Sequence, residues 1–194
     1  MPRDTRDGVW MVVSSTGRVK RMGGKLPAGS VPEGLPSEAW ATPLPNGGAA
    51  VVYRWSSQIV LLDSHGRVKP IVEGVESIPF PELLTYTPNQ DLGDGMTLRR
   101  IWRVDPEAPR ASRAVAAEGS RIYVLFGGAT EKAGRIVDTY SVSNGAYMGS
   151  YILPGTRHTD IAVLSDGRLA TLDTEFFPTV RLWRLPINEG QRRE

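Results

Sequence analysis

One phrase recurs along this chain and limits what it can fold into. An apolar, alternating run enters a Gly-Arg turn, and a second apolar run leaves it. The phrase reads Met11-Val12-Val13-Ser14-Ser15-Thr16-Gly17-Arg18-Val19-Lys20 and returns as Ile59-Val60-Leu61-Leu62-Asp63-Ser64-His65-Gly66-Arg67-Val68-Lys69. A looser copy is Ile161-Ala162-Val163-Leu164-Ser165-Asp166-Gly167-Arg168-Leu169-Ala170. Alternation on either side of a glycine turn is the pattern of a β-hairpin. One small sheet cannot bury both of its faces, so recurring hairpins imply β-units stacked radially or linearly on each other.

Strand patterns fill most of the remaining sequence, and no run of a dozen residues has clean helical periodicity with a cap at each end. The best-formed unit is four strands at 39–44, 49–55, 59–63 and 67–73, joined by tight turns such as Pro45-Asn46-Gly47-Gly48. Asn and Gly tolerate the positive φ such turns require. A hairpin at 8–24 precedes this unit. The stretch 23–36, rich in Gly and Pro, reads as a loop. Residues 75–111 read as an insertion, because Ile78-Pro79-Phe80-Pro81 cannot sit in a central strand; only 97–104, with Ile101-Trp102, is strand-like, an added hairpin or edge strand. A third unit covers 112–154, with an inner strand at Arg113–Ala117. A fourth covers 159–186 and stops one strand short, ahead of a polar tail at 188–194. Four-stranded units of roughly 40 residues are propeller blades. The expectation is therefore an all-β fold: one partial, open β-propeller-like domain over 1–194, built of four-stranded antiparallel blades. It has about three and a half blades, where a closed ring needs about four to eight.

Composition excludes several function classes. The chain has no cysteine, which rules out disulfides, thiolate catalysis and Cys-ligated zinc. The formal charge of +2 over 194 residues gives little reason to invoke nucleic acid. No stretch approaches the ~20 apolar residues of a membrane-spanning helix. Met1–Asp7 is polar and Val9–Val13 too short to be the apolar core of a secretory signal.

The last two units carry a resemblance to a known family. Asp138-Thr139-Tyr140, Gly145-Ala146-Tyr147 and Ser150-Tyr151-Ile152-Leu153-Pro154 resemble a strand pair of bacterial six-bladed β-propellers. Asp166-Gly167-Arg168-Leu169-Ala170-Thr171-Leu172-Asp173, followed by Val180-Arg181-Leu182-Trp183, is similar to the blade phrase of NHL-type and TolB-like proteins. The resemblance spans Trp40 to Pro186, apart from the insertion. It implies the propeller fold, an exported or periplasmic setting and a binding or scaffolding role. It also implies that the chain corresponds to the C-terminal half or more of such a protein, without its N-terminal blades and export signal. Some proteins of that shape are lactonases or other hydrolases that hold calcium in a central channel, so a divalent metal is the alternative it allows.

The candidate site lies in Gly155-Thr156-Arg157-His158-Thr159-Asp160, just ahead of an innermost strand. In a propeller that loop stands near the axial channel. There Arg157 can hold an anion, His158 can exchange a proton and Asp160 can accept from a donor. The plainer reading of this loop is a solvated connection between blades, with Asp160 satisfying backbone N–H groups. His65 sits in a turn, where a polar residue needs no functional reason. Asp91-Leu92-Gly93-Asp94-Gly95 has two carboxylates but not the ligand spacing of an EF-hand calcium loop. There is no Gly-x-Ser-x-Gly elbow and no catalytic constellation. The inner-strand segments Ala39–Leu44, Arg113–Ala117 and Ile161–Leu164 are mostly small or apolar, which argues against a metal in the channel. The expected function is a non-catalytic binding or interaction module with no cofactor, its protein or small-molecule ligand unspecified; a metal-holding, hydrolase- or lactonase-like propeller is the alternative. Open blade edges invite self-association.

Overall fold

A computed structural model describes residues 10–13, 19–23, 38–69, 71–86, 101–105, 107–174 and 177–185. Every named element among them is a β-strand. A first hairpin pairs β1 (Trp10–Val13) with β2 (Val19–Gly23). The next sheet takes β3 (Ala39–Pro43), β4 (Ala49–Tyr53), β5 (Gln58–Leu62) and β6 (Val72–Glu73) in sequence order. A second hairpin, β7 (Leu83–Tyr86) with β8 (Ile101–Val104), falls in the region expected as an insertion with an added hairpin or edge strand; its first strand was not among the expected ones. A second four-stranded sheet contains β9 (Arg110–Glu118), β10 (Arg121–Gly128), β11 (Ile136–Ser141) and β12 (Tyr147–Ile152). The last sheet has β13 (His158–Val163), β14 (Arg168–Asp173) and β15 (Thr179–Arg184).

All pairings are antiparallel, and each sheet is a simple up-and-down meander. The first strand of the central sheet, β9, packs against β3 and β4 on one side and β13 on the other. Blades of a propeller meet in this way, innermost strand beside innermost strand. The described strands therefore make an open, partial β-propeller of consecutive blades.

Two of the three copies of the recurring phrase, and the turn at 45–48, use the same turn; the turn of the first copy, at 14–18, lies outside the described residues. The N–H of Gly47, Gly66 and Gly167 bonds back to the carbonyl of Leu44, Asp63 and Leu164, at 2.9, 2.8 and 2.8 Å. In each case a second bond closes the hairpin, from the N–H of Leu44, Asp63 or Leu164 to the carbonyl of Gly48, Arg67 or Arg168. The three glycines have φ of 79°, 73° and 78°. This is a type I turn followed by a left-handed residue and a one-residue bulge, which Gly occupies without the Cβ penalty. A side-chain oxygen braces each turn. Asn46 Oδ1 accepts from the Gly48 N–H, Asp63 Oδ1 from those of His65 and Arg67, and Asp166 Oδ1 from that of Arg168. His65 thus belongs to a turn, as its place in the sequence suggests.

The central sheet has an apolar core on each face. Ile122, Val124, Tyr140 and Val142 pack against Leu44, Ala50, Val52, Ile59 and Leu61 of the preceding sheet. Tyr123, Leu125 and Val137 face the other way, onto Leu153, Ile161 and Leu169. Strand β10 alternates between these cores and so reads as an unbroken apolar run, the pattern of a strand covered on both sides. Hydrogen bonds sew neighbouring blades together. Ser112 Oγ donates to the Tyr53 carbonyl at 2.6 Å, and the Ala111 N–H to the Arg54 carbonyl at 2.7 Å.

Two boundaries differ from the sequence reading. The long fourth strand expected at 67–73 is reduced to a single bridge, Leu62 with Val68, and the two-residue β6. Pro70, between them in sequence, has no N–H to give to a ladder. The inner strand expected at 113–117 extends from Arg110 to Glu118 and so begins inside the segment assigned to the insertion. Most of the loop at 23–36, the 91–95 acidic loop and the 188–194 tail lie outside the described residues.

Candidate functional site

Where β9 begins, its ladder with β10 is irregular. Ala114 pairs with Leu125 and Ser112 with Phe126, so Arg113 is an extra residue without a partner across the ladder. In a regular strand Arg110 and Arg113, three apart, would point to opposite faces. A bulge re-aims the residues around it, and both side chains line one hollow of about 330 Å³. Arg157, from the segment before β13, lines it too, together with Glu107 and Thr130. The lining is largely polar.

The connection from β10 to β11 closes one side of this hollow. It is tightly folded, with the Ala133 N–H bonded to the Thr130 carbonyl and the Arg135 N–H to that of Lys132, both at 2.9 Å. Gly134 donates to the Phe126 carbonyl and accepts from the His158 N–H, each at 2.8 Å, and so ties this connection to the next blade. Its φ is +72°, and a Cβ there would lie 2.8 Å from the His158 carbonyl oxygen and 3.4 Å from Arg113 Nε. Glycine lets the two arginine-bearing segments approach. Gly127 has a similar role, since a Cβ there would fall 1.9 Å from the Arg110 carbonyl oxygen.

Positive charge in the hollow is not balanced locally. Among the described residues no ion pair engages Arg110, Arg113 or Arg157, even though Glu107 lines the same space. Arg113 Nε is buried without a hydrogen-bond partner. Burial, and then the charges of Arg110, Arg157 and Arg54, hold the Arg113 guanidinium below the ordinary arginine range. Arg110 is lowered by burial and by Arg54, against an opposing effect of Glu38. Arginine keeps its proton in proteins, so these shifts reflect first the burial of the two guanidiniums and then the like charges beside them. Arg54 differs from the other three, because Glu38 pairs with it and it stacks 4.7 Å from the Trp55 ring centre.

The residues singled out in the sequence do not converge. Arg157 is exposed at the hollow. His158 is completely buried, with its ring edge-on to Trp183 at 6.0 Å. Neither ring nitrogen has a well-formed hydrogen bond, although the Pro154 carbonyl favours a proton on the ring. Burial outweighs that carbonyl and the nearby Asp173 carboxylate, so the imidazole is held below its usual range. Asp160 is exposed, and its carboxylate accepts the Ile161 N–H at 2.8 Å. A second bulge explains the separation. His158 pairs with Asp173 but Asp160 with Leu172, so two residues that would share a face of a regular strand do not. The sequence reading missed Arg110, Arg113 and Glu107, whose only signal was arginines at the mouth of an otherwise apolar inner strand.

Two other possibilities are weak on geometry. A calcium ion needs several oxygen ligands converging at about 2.3–2.6 Å. Among the described residues no three His, Asp or Glu side chains gather as a metal group, and Ala114, Ala116 and Ile161 of the inner strands are apolar core residues, so those residues do not fit such an ion. A void of about 20 Å³ near Ser56, Glu76 and Asp138 has room for about one water. No helix among the described residues is long and apolar enough to cross a membrane.

No protein-family model matches the chain, and no curated protein matches it in sequence. Among solved structures it is similar to hydrazine synthase of Kuenenia stuttgartiensis, with 14% identity, a TM-score of 0.43, and coverage of 82% of this chain and 39% of that one. It is similar to Hsv2 of Kluyveromyces lactis at 12% identity and a TM-score of 0.37, covering 95% of this chain and 57% of that one. The Pan2 WD40 domain of Neurospora crassa gives 10% identity, a TM-score of 0.30, and coverage of 86% and 56%. The chain thus spans 39% to 57% of the length of these structures. Likenesses this loose carry no argument about function, and the fold assignment rests on the sheet geometry.

Proposed function

We propose that this chain is a non-catalytic binding module built on β-propeller blades, and that it captures a small anionic ligand in the hollow between the β9 and β13 blades. The observation that carries this reading is the convergence of Arg110, Arg113 and Arg157 on one hollow, without an ion-paired carboxylate among the described residues. Its volume of about 330 Å³ is at the small end of ligand pockets. The largely polar lining favours a hydrophilic ligand over an apolar one. Guanidinium groups present planar pairs of N–H donors that match carboxylate or phosphate oxygens, and such charge-assisted bonds are stronger than neutral ones.

Titration calorimetry at low ionic strength tests the reading, with sodium phosphate as the probe. Saturable one-to-one uptake is expected, weakening as salt is added. Arg157→Gln, at an exposed position, should weaken it about tenfold or more, the value of one charge-assisted hydrogen bond. Heat signals that do not saturate, or that Arg157→Gln leaves unchanged, would refute the site.

A further inference from the structure

The same hollow says something about the shape of its ligand, on the reading that it binds an anion. Three guanidinium groups and one carboxylate surround it. A planar carboxylate has two oxygens and engages one or two forked guanidiniums well. A tetrahedral phosphate monoester presents three terminal oxygens in three directions and carries close to two negative charges near neutral pH. It therefore matches three separate cations better than a carboxylate does.

Glu107 supplies the second constraint. It lines the space the arginines line, yet no ion pair joins it to them. Its segment is held in a turn by the Glu107 N–H bonding to Asp105 Oδ1 at 2.9 Å. A free carboxylate accepts hydrogen bonds and repels a bare anion. It favours a ligand whose organic part offers a donor beside the anionic group. Thr130 adds to this pattern. Its Oγ1 accepts the Lys132 N–H at 3.3 Å, which leaves the hydroxyl proton free to donate to a ligand oxygen.

We infer that the ligand is a small, hydroxyl-bearing phosphate monoester, with its phosphate among Arg110, Arg113 and Arg157 and a hydroxyl donating to Glu107. The test compares glycerol 1-phosphate, inorganic phosphate and succinate by calorimetry on the full chain and on Glu107→Ala. Glu107 is exposed, so its truncation should not disturb the fold. Wild type should prefer glycerol 1-phosphate over inorganic phosphate by about tenfold, the worth of one hydrogen bond to a charged group. Glu107→Ala should bring that ratio close to one, chiefly by tightening inorganic phosphate and loosening the monoester. Succinate should bind at least about tenfold more weakly than glycerol 1-phosphate. Succinate binding as tightly as the monoester overturns the phosphate assignment but leaves an anion site standing. A preference unchanged in Glu107→Ala overturns the role of Glu107. Sedimentation with phosphatidic acid vesicles, without uptake of glycerol 1-phosphate, overturns a soluble ligand in favour of a lipid headgroup. Failure of every anion to bind overturns this inference together with the function it rests on.

Discussion

Replacing Arg113 by Met should make the protein more stable and less able to bind, and the two effects can be read in one melting experiment. Arg113 holds a buried Nε donor with no partner, and its charge is opposed by Arg110, Arg157 and Arg54. An unsatisfied buried donor costs about 1–3 kcal/mol. Met keeps an unbranched apolar stem and removes both the donor and the charge. Taking the lower end of that range, to allow for lost packing of the guanidinium, the gain is about 1 kcal/mol, or about 2–4 °C in melting temperature for a chain of this size. Saturating phosphate should reverse the order. A ligand at about a hundred times its Kd stabilises the wild type by about 2.7 kcal/mol, and the variant, lacking one of the three cations, gains much less. The melting curves should therefore cross, with Arg113→Met higher in phosphate-free buffer and the wild type higher in phosphate. In sodium chloride near 1 M, where screening acts over about 3 Å, the part of the advantage due to repulsion should shrink. An Arg113→Met protein that melts below the wild type in both buffers would refute the reasoning, because Arg113 would then be a structural residue and not a strained ligand-binding one.

Three further predictions concern the buried histidine and two glycines. The lowered pKa of buried His158 means that the unfolded chain binds its proton more readily than the folded one. Its contribution to stability is therefore fully present above 6.5, its ordinary value, and is lost as pH falls from there through the folded value. Urea melts of His158→Phe between pH 7.5 and 5 should show a smaller loss than those of the wild type, and equal losses would contradict the assignment. Gly127→Ala should destabilise by about 3 kcal/mol or more, as a Cβ 1.9 Å from the Arg110 carbonyl oxygen forces the start of β9 away from β10. Gly167→Ala, where nothing lies within 4 Å and only a φ of +78° opposes it, should cost about 1–2 kcal/mol in the same denaturant assay.

The blades were legible because their determinants are local. A hairpin of this type needs a left-handed residue at one position, and Gly47, Gly66 and Gly167 sit there with φ between 73° and 79°. Strand β10 was legible as a strand, and its run Ile122 to Phe126 is buried throughout. The shortened β6 was a local matter as well, and Pro70 stood in the sequence as its warning. Such features depend on a few neighbouring residues and follow from alternation and turn chemistry alone.

The candidate site was hidden because it is made from departures from that alternation. Period two assigns Arg110 and Arg113 to opposite faces, and His158 and Asp160 to the same one. One extra residue in β9 and one in β13 reverse both assignments. A bulge is set by how two strands of a ladder register on each other, which the alternation of either strand alone does not show. The glycines that accompany the bulges carry some of the missing information. Gly127 and Gly134 lie in a stretch that reads as loop, yet each is needed where backbone or arginine side chains pass too close for a Cβ. The clearance at Gly127 exists only once β9 is paired with β10, and that at Gly134 only once the next blade is in place. A propeller can thus keep the repeat that builds its blades and still vary its recognition surface, because a single inserted residue at the mouth of an inner strand turns a charge from solvent toward the space between two blades.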